Sequence, residues 1–183
     1  MQANIAIGLL ETSSIAKGIE ASDAMCKMAG VELVKADIIA RGKYMILVSG
    51  PVGEVESAMR AGAQTADRTV VHRVIIRNVH QHVLDALEKR RTVPELDALG
   101  VIETKDAIAA VHAADSAAKA AKVHLIDVRV AIGGGKGYVS MTGDVGAVRT
   151  AVGAGIAAVP EGMLVSRVVI PRPDRQLLRT MGK

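Results

Sequence analysis

The 183-residue sequence contains no Phe, no Trp and only two Tyr, although half of its residues are apolar. Its core must therefore be built from Val, Ile, Leu, Ala and Met. Such small side chains bury little area each, at about 25 cal/mol per Å² of apolar surface. Each folding unit is thus expected to have a thin core that neighbouring subunits support.

Cysteine and long apolar runs are also scarce. The single Cys26 excludes an intrachain disulfide framework and fits a reducing compartment. No run reaches the roughly 18 apolar residues of a membrane span, and the N-terminus lacks the pattern of a signal peptide. Charges of both signs are interspersed, and aromatic residues that stack on bases are almost missing, so no nucleic-acid partner is expected. The sequence predicts a soluble cytoplasmic protein.

What the sequence does contain is a tandem repeat. Matching residues recur in the same order at a spacing that grows from 92 to 94 through two single-residue insertions. The spacing of 92 relates the pairs Gly8/Gly100, Glu11/Glu103, Thr12/Thr104, Asp23/Asp115, Lys27/Lys119, Val31/Val123 and Leu33/Leu125. The spacing of 94 relates the pairs Val71/Val165, Arg73/Arg167, Val74/Val168 and Ile76/Ile170. We expect two homologous domains, residues 1–90 and 96–183, with a linker near Pro94.

Each copy predicts the order β-α-β-β-α-β, an α+β sandwich of the ferredoxin-like type with helices on one face of a four-stranded sheet. The first copy predicts strands at 3–11, 31–39, 43–49 and 70–76 and helices at 14–29, 52–66 and 80–88. The second predicts strands at 98–103, within 123–141 and at 163–170, and helices at 106–121 and 145–158. Ser13 or Ser14 can cap the first helix, whose predicted buried face carries Ile15, Ile19, Ser22 and Cys26.

The Gly-rich segment 131–137 is the most distinctive motif. Glycines before a lysine can cradle a phosphate, but a P-loop continues with Ser or Thr and a helix, whereas Lys136 is followed by Gly137 and a predicted strand. A hairpin turn that needs positive φ is the favoured interpretation. A third interpretation is close approach of backbones around a symmetry axis, where side chains would not fit.

No set of residues predicts catalysis. His80 and His82 lack a third metal ligand at a suitable spacing, so a solvated helix start is favoured over a metal site. Cys26, on the predicted apolar face, is interpreted as a small core residue rather than a nucleophile. Glu11 and Glu103 recur in both copies, which favours a structural role. The chain is therefore predicted not to be an enzyme.

Both copies also carry an ordered set of motifs. They are Gly8-Leu9-Leu10-Glu11-Thr12 and Asp23-Ala24-Met25 with Lys27 in the first copy, and Gly100-Val101-Ile102-Glu103-Thr104, Ala114-Asp115 with Lys119, Gly143-Asp144-Val145 and Ile170-Pro171-Arg172-Pro173 in the second. In these motifs the sequence resembles the bacterial microcompartment shell family. Because both copies begin at the same point of the domain, the resemblance is to its unpermuted, tandem-domain trimeric class, found in propanediol-utilisation compartments.

The resemblance implies a homotrimer whose six domains imitate a hexagonal tile. Such tiles pack edge to edge with other shell proteins of a microcompartment in the bacterial cytoplasm. The contacts at the tile edge would come from Lys27, Asn78, Lys119 and Arg172. Asn78 replaces the edge arginine of the family, so Lys27 is expected to carry more of the contact in the first copy.

The resemblance also implies a central opening for metabolites, lined by the turns of the two hairpins: Ile39, Ala40, Arg41, Gly42, Ile132, Gly133, Gly134 and Gly135. In the propanediol-utilisation shell protein a cysteine at one of these positions holds an iron–sulfur cluster. The matching residue here is Ala40, which offers no thiolate, so no cofactor and no metal are expected. Three copies of Arg41 would form a positive collar that favours anions, unless Arg41 points outward and pairs with an acidic neighbour.

Two other functions remain open alternatives. The chain could be a trimeric ferredoxin-like regulator that binds a small molecule between subunits, or an enzyme with its active site between the repeats. The missing phosphate motif counts against the first, and the missing catalytic set against the second.

Overall fold

The computed structural model describes residues 5–93, 95–132 and 135–177 of the chain. In its first unit, a four-stranded antiparallel sheet in the order β2-β3-β1-β4 is packed by two helices. The elements are β1 (Ile5–Thr12), α1 (Ile15–Met28), β2 (Glu32–Ile39), β3 (Lys43–Pro51), α2 (Val52–Ala66) and β4 (Val70–Ile76). The predicted order β-α-β-β-α-β is confirmed.

The second unit repeats this architecture with the strand order β6-β7-β5-β8. Its elements are α3 (Gln81–Glu88), β5 (Ala98–Thr104), α4 (Ala107–Ala120), β6 (His124–Ile132), β7 (Lys136–Gly143), α5 (Val145–Ala157) and β8 (Leu164–Pro171). The registers also correspond, because Glu11 faces Met45 in the first sheet as Glu103 faces Tyr138 in the second. The α+β class and the tandem repeat are therefore confirmed.

The chain divides into the two units between Val79 and His80, whereas the sequence placed the end of the first domain at residue 90. The reason is α3, which follows β4 in the chain but packs on β6 and α4 of the second unit. The backbone N–H of His80 donates to Asp115 Oδ1 at 2.8 Å, and that of Arg91 donates to the Ile126 carbonyl at 2.7 Å.

The buried face of α1 differs from the prediction. The buried residues are Gly18, Ala21, Ser22 and Met25, whereas Ile19 and Cys26 are exposed. A Cβ atom on Gly18 would lie 2.5 Å from Tyr44 Cδ1, so the helix approaches the sheet along its small residues. The interpretation of Cys26 as a core residue is therefore wrong.

The second unit depends on even closer packing. The side of α4 that faces the sheet is made largely of alanine, and a Cβ atom on Gly137 of β7 would lie 2.4 Å from Ala110 Cβ and 2.6 Å from the Asp106 carbonyl oxygen. Only glycine allows this helix and this strand to approach so closely. The use of small residues expected from the composition is confirmed at this contact, whereas the expected support by neighbouring subunits stays a prediction.

Among the described residues, no helix combines the length and the apolar character needed to cross a membrane.

Candidate functional site

The turn of the first hairpin, between β2 and β3, is a single 3₁₀ turn at Ala40–Gly42. Ile39 ends the preceding strand. Arg41 and Gly42 both have left-handed backbone conformations, with φ of 63° and 71°. A non-glycine residue in this region is uncommon. The side chain of Ala40 lies outside the described part of the structure, so only its place in the backbone of the turn is given.

Arg41 carries an exposed, uncompensated charge. No ion pair or side-chain hydrogen bond joins it to any residue within the described ranges. The alternative in which Arg41 pairs with an acidic neighbour therefore has no partner in the described part of this chain.

The turn of the second hairpin joins β6 to β7. Gly135 has φ of 102°, and its N–H donates to the Ile132 carbonyl at 3.0 Å. The side chain of Ile132 is exposed, while Gly133 and Gly134 lie outside the described residues. The interpretation of the Gly-rich segment as a hairpin turn with positive φ is confirmed at Gly135. The phosphate cradle is not supported, because Lys136 begins a strand and is engaged by a carboxylate.

A Glu–Lys pair lies at the base of each turn. Lys136 Nζ is 2.7 Å from Glu103 Oε1, and Lys43 Nζ is 3.6 Å from Glu11 Oε2. Both glutamates have a lysine partner, which fits the structural role predicted for them. Their lysine partners were missed, although Lys43 and Lys136 recur at the spacing of 93 that the neighbouring residues follow.

The first copy's edge candidates lie at the ends of two elements. Lys27 is in the last turn of α1, is largely exposed, and donates to Asp23 Oδ2 at 2.6 Å. Asn78 follows β4 with φ of 55°. Asparagine tolerates this left-handed conformation better than most residues.

The second copy's candidates occupy equivalent positions. Lys119 is in the last turn of α4 and donates to Asp115 Oδ2 at 2.6 Å. Arg172 follows β8 with φ of 46°, so its backbone matches that of Asn78. The exposed guanidinium of Arg172 has no partner among the described residues. Residues held in such uncommon backbone conformations cluster at functional sites.

Within each unit, the edge residues and the turn residues lie on different elements. Across the residues described, no hydrogen bond or ion pair links Lys27 or Asn78 to the turn 39–42, or Lys119 or Arg172 to the turn at 132 and 135. In each unit, the candidate tile-edge residues and the hairpin turn are therefore two separate candidate sites.

His80 has a structural task. Its Nδ1 accepts a hydrogen bond from the backbone N–H of His82 at 3.3 Å and so caps α3. The predicted helix start is confirmed at this position, although both histidines are partly buried rather than fully solvated. Burial, followed by the charge of His80, lowers the pKa of His82 below its ordinary value. No group of three or more His, Cys, Asp or Glu side chains in the described ranges is arranged to hold a metal ion.

Tyr138 lies close to the second turn, on β7. Its hydroxyl donates to Ser140 Oγ at 2.8 Å, and burial raises the pKa of Tyr138 above its ordinary value of 10. The half-buried phenol therefore stays protonated at physiological pH.

Comparison with known proteins places the fold in one family. The family model described as the BMC domain matches residues 6–79 and again 98–173. The bacterial microcompartment shell protein PduT of Citrobacter freundii is 42% identical over 178 residues, which cover 96% of this chain and 97% of that protein. The carboxysome shell protein CsoS1C of Halothiobacillus neapolitanus is 41% identical over 88 residues, which cover 46% of this chain and 90% of that protein.

Solved structures agree with the sequence comparisons. A crystal structure of a microcompartments protein from Desulfitobacterium hafniense superposes with a TM-score of 0.94 and 44% identity, and covers 97% of this chain and 99% of that one. The fused permuted hexameric shell protein MSM0275 from the RMM microcompartment gives a TM-score of 0.59 at 28% identity over 86% of this chain and 85% of that one. With two matched domains in tandem, the chain belongs to the BMC-domain family and is a bacterial microcompartment shell protein.

Proposed function

We propose that this chain assembles as a homotrimer whose six domains form a pseudohexagonal tile in the shell of a microcompartment in the bacterial cytoplasm. The hairpin turns line a central opening through which small metabolites pass. The protein acts as a structural and selective wall and catalyses no reaction.

The observation that carries the proposal is the set of large aliphatic side chains that each unit leaves exposed. Ile38 on β2 of the first unit is 65% exposed, and β8 of the second unit has three exposed aliphatic side chains, Leu164, Val165 and Val168. Clustered exposed apolar side chains of this kind mark protein–protein contacts. Because the two surfaces differ, they support a heterologous contact between copies, which forms a closed trimer when each copy is rotated by one third of a turn.

Three chains with two domains each would give such a ring six domain positions. The matching strand orders and registers of the two sheets support this arrangement, since each domain can take the same place around the axis. The relatives named as shell proteins include single-domain-length proteins that match only half of this chain. A tandem chain supplies two such domains at once.

The turn residues suit a passage for anions. Arg41 brings an exposed charge without a described counter-ion, while Lys43 and Lys136 are each neutralised by a glutamate. Three copies of Arg41 near one axis would attract carboxylates and phosphorylated metabolites. Ala40 offers no thiolate at the position of the cluster-binding cysteine, so the opening holds no iron–sulfur cluster.

The edge residues suit lateral packing against the same protein and other shell proteins. Lys27 and Lys119 occupy equivalent last turns of α1 and α4, and both ammonium groups reach solvent. Arg172 adds an exposed guanidinium in the second copy, where the first copy has Asn78. Lys27 therefore carries more of the contact at the edge of the first domain.

Native mass spectrometry of the purified protein tests the assembly. The proposal predicts a species of three times the chain mass of 19.1 kDa, and extended sheets by electron microscopy at high concentration. A protein that stays monomeric at tens of micromolar would overturn it. No described observation favours the small-molecule regulator, and tight nucleotide binding by calorimetry would be needed to revive it.

A further inference from the structure

The two copies bury the same surface to very different extents. Leu125 on β6 is 2% exposed, whereas its counterpart Leu33 on β2 is 41% exposed. Val111 on α4 is 1% exposed, whereas its counterpart Ile19 on α1 is 54% exposed. Both pairs follow the spacing of 92 that relates the two repeats in this part of the chain.

The segment that covers this surface in the second unit is α3. It packs on β6 and α4, and the N–H of His80 at its start donates to Asp115 Oδ1. Asp115 lies one helical turn after Val111, so both are on the same face of α4. In the first unit the counterpart of Asp115 is Asp23, which is exposed together with Ile19.

The chain contains a counterpart of α3. The spacing of 94 that relates β4 to β8 continues beyond the strands, because Asn78 and Arg172 share a left-handed backbone. It then pairs His80 with Asp174, whose Oδ1 accepts from the N–H of Gln176 at 2.8 Å as His80 Nδ1 accepts from the N–H of His82. Residues 175–177 are helical, as are residues 81–83 at the start of α3.

The apolar pattern of α3 also recurs in the sequence. The buried residues Val83, Leu84 and Leu87 correspond at the same spacing to Leu177, Leu178 and Met181. Residues 178–183 lie outside the described part of the structure, so this comparison rests on their sequence alone. In α3, spacings of three and four residues place Val83, Leu84 and Leu87 on one helix face.

We propose that the C-terminal segment that begins at Asp174 covers the exposed surface of Ile19, Asp23 and Leu33 on a second copy of this chain, as α3 covers the equivalent surface of the second unit. The inference rests on the proposed trimer, in which each tail would reach the first domain of the next chain. The tail then forms a contact between subunits that repeats around the ring, in which the backbone N–H of Asp174 donates to Asp23 of the neighbouring copy.

A crosslinking experiment tests the contact in the full-length protein. In a Cys26→Ser background, which removes the exposed native thiol, the pair Asp23→Cys and Asp174→Cys is joined with a short bismaleimide. The matched control is His80→Cys with Asp115→Cys, the equivalent positions within one chain, and native mass spectrometry of each variant reports the trimer.

The inference predicts covalent dimers and trimers for the first pair and only intrachain links for the control pair. Intrachain links in the first pair would overturn it, because the tail would then fold on its own chain. An intact trimer without links in the first pair, beside a linked control, would also overturn it and leave the proposed tile standing. A monomer would overturn the tile and the tail contact together.

Discussion

Lys136 Nζ lies 2.7 Å from Glu103 Oε1, and the first domain repeats this pair with Lys43 and Glu11. Each pair joins the strand that leaves the hairpin turn to the adjacent strand of the same sheet. Glu11 is paired with Lys43, and Arg41 in the first turn has no acidic partner among the described residues, so its charge is uncompensated. That charge can be removed without disturbing an ion pair.

Replacing Arg41 with Gln should weaken the binding of a polyvalent anion by the assembled protein. A hydrogen bond to a charged group contributes about 1.5 kcal/mol, so the loss for citrate is expected to be about tenfold or more. Titration calorimetry at low salt measures it. The matched control Arg68→Gln removes another exposed arginine, whose only described contact is at 4.0 Å to the adjacent Asp67. Equal loss in both variants, or no citrate binding by the parent protein, would contradict the collar.

Replacing Lys119 with Ala should abolish extended sheets while the trimer persists. Lys119 is half-exposed, whereas the Asp115 side chain is only 11% exposed, so loss of the pair is expected to lower the thermal stability. Asp115 also keeps the hydrogen bond from the N–H of His80. Electron microscopy of concentrated protein and thermal unfolding measure the two effects.

The neighbouring Lys122, which is exposed and has no ion pair among the described residues, provides the control for the edge. Lys122→Ala should form sheets as the parent protein does. Sheets of normal extent from Lys119→Ala would remove that residue from the edge contact.

Replacing Gly137 with Ala should destabilise the second domain. The added Cβ would meet Ala110 and the fixed Asp106 carbonyl below van der Waals distance, and overpacking of this kind costs about 1–3 kcal/mol. Gly153→Ala on α5 is the opposite case, because nothing lies within 4 Å of its added Cβ. That change should stabilise by about 0.5–1 kcal/mol. Urea unfolding at one protein concentration should separate the two, and equal effects would show that the close approach at Gly137 is unimportant.

Tyr138 should ionise only above pH 10. Burial favours the neutral phenol, so the folded-state pKa lies above the unfolded value of 10. The unfolded chain therefore loses this proton first, and the contribution to stability is present below pH 10 and lost as the pH rises through the folded pKa. Absorbance at 295 nm follows the ionisation of both tyrosines, Tyr44 and Tyr138, without a contribution from Trp, which the sequence lacks. Tyr138→Phe should remove a component with its midpoint above pH 10, and a titration curve unchanged by that variant would contradict the assignment.

The strands and helices were predictable because turn residues and repeats mark their ends. Val52–Ala66 and Val70–Ile76 follow directly after a Gly-Pro break and a polar turn, and both match the expected bounds. The buried face of α1 was not predictable from apolar periodicity. Gly18 faces the sheet because the ring of Tyr44 leaves no room for a Cβ atom there, and the larger Ile19 is left exposed.

The sequence assigned α3 to the first domain for a different reason, namely that α3 directly follows β4 in the chain. In the structure, the apolar face of α3 packs on β6 and α4, which come after the linker. A repeat-based comparison with residues 175–182 carries the signal that was missed, since both segments have apolar residues in the same register. The proposed edge and turn residues rest on the family resemblance and stay predictions until the assembly is observed.

Single-particle electron cryomicroscopy of the purified protein tests the central claim most directly. The account predicts a flat particle of three chains with six similar lobes, in which residues 39–42 and 132–135 of every chain converge on the axis. A solitary chain, or a ring that carries these turns on its outer rim, would contradict it.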